Sequence, residues 1–267
     1  GKATNSGTGN VAVGRNSLVT NTSGSRNVAL GQNAVEFPDT ENDNMGIGYN
    51  ALAGTIAGGE FNVGIGNATL DALTSADNNT AVGHGAGGAI TIGGNNVIVG
   101  KDAAVAATSV VNSVFIGHDV AKAMSGGDTG GNVIIGAGAV NVGVLTGADN
   151  VVIGKLAGQD MTSGDSNVII GEDAGKQLTS GDDNVIIGQN AVGGGVFTSS
   201  KLVAIGTTAG FDLTSGDNNT LIGFETGQNI TSGSGNVALG TNSLDLCDTE
   251  SNNLAIGVDA MHGSIAG

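Results

Sequence analysis

The pentapeptide NVIIG stands at Asn167–Gly171 and again at Asn184–Gly188, and variants of it run through the whole chain. They close on Gly14, Gly31, Gly48, Gly66, Gly83, Gly100, Gly117, Gly136, Gly154, Gly171, Gly188, Gly206, Gly223, Gly240 and Gly257, fifteen copies in all. The interval is 17 residues throughout, apart from three of 18 and one of 19. A fixed period of this kind marks a stacked repeat, in which each unit buries its apolar side only against its neighbours. The pentapeptide is short, β-branched and bounded by Asn and Gly, so it reads as a strand.

Working outward from the closing glycine, the residue four before it is Asn in thirteen of the fifteen copies. Ser113 and Leu202 are the exceptions. The column Asn10, Asn27, Asn44, Asn62, Asn79, Asn96, Asn132, Asn150, Asn167, Asn184, Asn219, Asn236 and Asn253 is expected to form a ladder of side-chain amides, each bonding to the next coil. Three residues after the glycine comes Ala or Ser in twelve copies, as befits a tight inward corner. The second half of each coil is a turn, as in LTSGDDN at Leu178–Asn184 and MTSGDSN at Met161–Asn167. There Gly is expected to supply positive φ, Ser, Asp and Asn to bond their own backbone, and the preceding Leu or Met to point inward. The expected fold is all-β: one continuous parallel β-solenoid over residues 1–267, of about fifteen coils, spanning on the order of 70 Å. The longer segments Ala121–Gly131 and Val192–Lys201 read as surface bulges in the turn half, with a binding loop the weaker alternative.

Composition agrees with a solenoid and narrows the function. Fifty glycines, one proline and no Trp would fit low complexity, but there is no Gly-X-Y triplet and the apolar residues recur in register. No run of about 18 apolar residues is present, so no membrane insertion is expected. The polar opening GKATNSGTGN does not read as a signal peptide. A formal charge of −16 with no Lys/Arg cluster argues against a nucleic-acid partner.

The positions three and one before each glycine are expected to face the coil interior, since side chains alternate along a strand. The intervening column then faces outward, and none of its members is polar. Ile98, Phe115, Ile134, Val152, Ile169, Ile186 and Leu221 are accordingly expected to form an oligomer interface, because strands apolar on both faces are buried on both faces.

With these residues in view, the N-x-x-I-G unit followed by a small residue resembles the head repeat of trimeric autotransporter adhesins. NVALG at Asn236–Gly240 and NLAIG at Asn253–Gly257 are the nearest copies. Similar repeats occur in phage and viral fibre proteins. The resemblance covers the entire chain. It implies a β-roll and a homotrimer, and a shaft or head of a fibre on a cell or virion surface, mediating attachment to a host or cell-surface receptor. The period here is longer than is usual in that family, the extra residues lying in the TSGD turn. The two chain ends fall in mid-repeat, so a longer fibre or end-to-end stacking is expected.

Candidate chemistry is sparse, and no catalytic or metal residue is assigned. His84 and His118 each follow a closing glycine, with Lys101 between them; with His262 they read as solvated surface histidines. Asp149, Asp165, Asp182, Asp183 and Asp217 recur in the turns and read as a solubilising edge, with calcium binding the weaker alternative. No other cofactor is expected. Cys247 is the single cysteine and is expected to be a free thiol. A fibre-borne polysaccharide depolymerase is the alternative function, set back by an aromatic content of 3%. Ice binding is more remote, since the threonines lie in turns and form no T-x-T strand rank.

Overall fold

The computed structural model describes residues 6–124, 130–245 and 248–263. Among them the chain is all-β, a parallel β-solenoid of fifteen three-residue strands without a helix. It falls into two compact units, Gly1–Gly131 and Asn132–Gly267, the sequence boundary lying within the one 19-residue interval.

The first unit holds β1 (Val11–Val13), β2 (Val28–Leu30), β3 (Met45–Ile47), β4 (Val63–Ile65), β5 (Thr80–Val82), β6 (Val97–Val99) and β7 (Val114–Ile116). The second holds β8 (Val133–Ile135), β9 (Val151–Ile153), β10 (Val168–Ile170), β11 (Val185–Ile187), β12 (Val203–Ile205), β13 (Thr220–Ile222), β14 (Val237–Leu239) and β15 (Leu254–Ile256). Within each unit every strand pairs in parallel with the next, position for position. Ile98 lies beside Phe115 in the first unit, and Ile169 beside Ile186 in the second. Two glycine columns let the coils stack this closely. Gly171 has φ +137°, and a Cβ there would stand 2.6 Å from the Gly188 carbonyl oxygen of the next coil. The turn glycine acts through space rather than through positive φ: a Cβ on Gly216 would meet the Gly233 oxygen at 2.0 Å. Positive φ in that turn belongs instead to the residue two further on, as at Ser166, Asp183 and Asn218.

The two faces of the strand are the reverse of the sequence expectation. Ile98, Phe115, Ile134, Val152, Ile169, Ile186 and Leu221 are all 0% exposed within their own chain. They are core, and they do not form an outward interface. The flanking columns point out: Val97 is 39% exposed, Leu239 47% and Ile256 63%. The physical reason is lumen size. A three-residue strand turns its middle side chain one way and its two neighbours the other. The interior of a 17-residue coil is already occupied by the asparagine, the corner alanine and an apolar turn residue, all buried at Asn167, Ala174 and Leu178, leaving room for one more column.

That column shares its space with the residue four after each closing glycine. Where the strand residue is small, as at Ala29, Gly46, Gly64 and Ala81, the partner from the preceding coil is large: Leu18, Val35, Leu52 and Leu70, all buried. Where the strand residue is large, the partner shrinks. A Cβ on Gly175 would meet Ile169 and Ile186 at 3.3–3.4 Å. Large and small side chains thus alternate across this contact, as close packing requires. The turn Leu and Met do point inward, Met161, Leu178 and Leu213 being 0% exposed. The Val192–Lys201 segment is more than a bulge. It seats Phe197 in the core, bridged in parallel to Leu178, and leaves Val196 exposed.

Candidate functional site

The asparagine column forms a ladder in each unit. The backbone N–H of Asn27 donates to Asn10 Oδ1 at 2.8 Å, that of Asn44 to Asn27 at 3.0 Å, and so on through Asn62, Asn79, Asn96 and Ser113. In the second unit the ladder runs from Asn132 through Asn150, Asn167 and Asn184 to Leu202. It resumes at Asn219 and continues to Asn236 and Asn253. From Asn10 to Asn236 each Nδ2 also ties the next turn. That of Asn167 donates to the Gly181 carbonyl at 2.9 Å. Asn44 to Asn236 are buried, while Asn10 and Asn253 are half-buried. These amides bond one another and the turn carbonyls, tying coil to coil.

A second ladder, which the sequence reading missed, uses the turn acids. Asp165 Oδ1 accepts from the Ala148 N–H at 2.7 Å, Asp182 Oδ1 from Asp165 N–H at 2.9 Å, and Asp217 Oδ1 from Ser200 N–H at 2.9 Å. In the first unit Asp77 and Glu60 do the same for Glu60 and Asn42. Asp149 and Asp183 are not in this column; they sit one residue later, with left-handed backbone and exposed side chains. The recurring Asx or Ser at one turn position was the available signal. No group of three or more His, Cys, Asp or Glu able to hold a metal occurs among the described residues. The turn threonines also serve the stack, the Thr162 hydroxyl donating to the Thr179 carbonyl at 2.7 Å.

The histidines lie beside surface carboxylates. His84 Nδ1 lies 3.6 Å from Asp102, His118 Nδ1 3.3 Å from Asp119, and His262 Nε2 3.4 Å from Asp245. Lys101, between the first two, bonds Asp102 and holds its carboxyl below the usual range. Cys247 lies outside the described residues, as do 125–129 of the 19-residue interval.

What remains as a functional surface is the outward side of the sheet. In the second unit it carries two columns, Val133, Val151, Val168, Val185, Val203, Thr220, Val237 and Leu254 beside Ile135, Ile153, Ile170, Ile187, Ile205, Ile222, Leu239 and Ile256. Only Thr220 is polar. A ribbon this apolar on the solvent side is unusual for an isolated chain. The chain matches no protein-family model and no curated protein sequence.

Proposed function

We propose that this chain is a structural segment, shaft or head, of a surface fibre, assembled as a homotrimer through the outward sheet face and serving attachment. The observation that carries the reading is the pair of half-exposed Val/Ile columns, repeated on every strand. A sheet buried on both faces is the ordinary setting for strands with apolar residues at every position, and 17 residues per coil leave no chain for a second layer. Residues such as Ile135, Ile153, Ile170, Ile187, Ile205 and Ile222 take the interface role that the buried column cannot. The N-x-x-I-G resemblance to trimeric adhesin heads supports the number three and an extracellular, cell-surface or virion setting. Acidic turns keep neighbouring fibres apart in solution.

Sedimentation equilibrium of the purified chain tests the assembly. The reading predicts a mass three times the 25.7 kDa of one chain. A single-chain mass at every concentration would end it.

A further inference from the structure

The outward face of the second unit is bordered on both sides by acid. Along one rim, five and six residues before each closing glycine, stand Asp149, Asp165, Asp182, Asp183 and Asp217, with Lys201 the only cation. Along the other, one and two residues after the glycine, stand Glu172, Asp173, Glu225 and Asp259; Lys155 on the same rim is bonded to Glu172 at 2.8 Å, and Lys176 from the following turn to Asp173 at 2.9 Å. Nine carboxylates thus flank the apolar columns against three lysines, so both rims keep a net negative charge. Eight strands at about 4.8 Å spacing make the strip ~38 Å long, and with its rims it is ~20 Å wide. That is the order of the ~800 Å² per partner that stable interfaces bury.

We propose that a second copy of this chain is the occupant of this strip, and that its association is gated by ionic strength. The inference rests on the self-association proposed above. Apolar burial draws two such strips together, while acidic rims on both sides oppose the approach whichever rim meets which. Lys155 and Lys176 are already bonded to acids of their own chain, which leaves the rims poor in cations for complementary ion pairs across the contact. Repulsion between exposed charges is screened within about 10 Å at 0.1 M salt and about 3 Å at 1 M. Added salt therefore strengthens the assembly, the opposite of an interface held by salt bridges. A fibre of this kind stays dispersed in dilute medium and consolidates in saline.

The experiment is sedimentation equilibrium of the full chain in 10 mM and 500 mM NaCl, beside the variant Asp149→Asn/Asp183→Asn/Glu172→Gln. Asn already occupies the equivalent turn position at Asn78, Asn95 and Asn218, with the same left-handed backbone, and Gln the position of Glu172 at Gln32 and Gln189, so the variant is expected to keep the fold. The expected result is an association constant at least about tenfold higher for the wild type in 500 mM salt, as screening removes the rim repulsion. The variant is expected to associate in 10 mM salt nearly as the wild type does in 500 mM, with a flattened salt dependence. Association that weakens as salt rises, or a variant with an unchanged salt slope, overturns the gating and leaves self-association standing. A monomer at both salts in both proteins overturns the two together.

Discussion

Gly46 and Val35 occupy one space: a Cβ built on Gly46 would stand 2.6 Å from Val35 Cγ2 and 2.9 Å from the Ala51 carbonyl oxygen. Val35 is itself held at φ +43°, where a β-branched residue is strained. Gly46→Ala is therefore predicted to destabilise by about 1–3 kcal/mol, the usual cost of overpacking. Adding Val35→Gly should recover part of that loss, since glycine suits the backbone and vacates the space. Thermal denaturation of the single and double variants checks this. A double variant less stable than Gly46→Ala alone would contradict the shared-volume account.

The ladder makes a second prediction. Asn184 accepts from the Leu202 N–H at 2.9 Å and donates to Asn167 Oδ1 and to the Ser199 carbonyl. Asn184→Ala strands those buried groups, and the expected cost is about 1–3 kcal/mol. A melting temperature equal to that of the wild type would remove the ladder from the list of stabilising features.

Acid stability supplies a third. Arg26 donates to both oxygens of Asp43 at 2.6 Å, and that bonding holds the Asp43 carboxyl below its usual range. Lys101 does the same for Asp102. A carboxylate with a lowered folded-state pKa contributes stability that is present above about pH 4, its unfolded value, and lost as pH falls through the folded one. Burial raises the Asp71 pKa, so Asp71 acts with the opposite sign, favouring the folded state as pH falls. Asp43→Asn/Asp102→Asn should accordingly lose less melting temperature than the wild type between pH 5 and pH 2. An equal loss in both proteins would show that these pairs are thermodynamically silent, as many exposed pairs are.

The period, the strand positions and the ladder were legible because each is written as a repeating residue type. Asn184 and Gly188 announce a coil whatever surrounds them. The orientation of the strand was not legible in the same way, because alternation fixes which residues share a face but not which face is inside. Two signals were present. The column containing Gly46 and Phe115 varies widely in volume against a compensating partner, which is what a packed interior does. The flanking column admits Thr80 and Thr220, which an outward column tolerates. The acid ladder escaped because serines such as Ser200 and Ser234 take the same role as Asp165 and Asp217, and because Asp149 and Asp183, one residue later, blur the register.

Adjacent residues in β10 test the central claim, that the middle strand column is core and its neighbours form the association face. Ile169 is fully buried and Ile170 points outward beside it. Ile169→Asp and Ile170→Asp are compared by circular dichroism melting and sedimentation equilibrium. The account predicts that Ile169→Asp destabilises or unfolds the chain, since a buried unpaired carboxylate costs several kcal/mol. Ile170→Asp is predicted to weaken or abolish association while its β-sheet spectrum persists. The reverse pattern, a folded Ile169→Asp that no longer associates and an Ile170→Asp that unfolds within one chain, would contradict it.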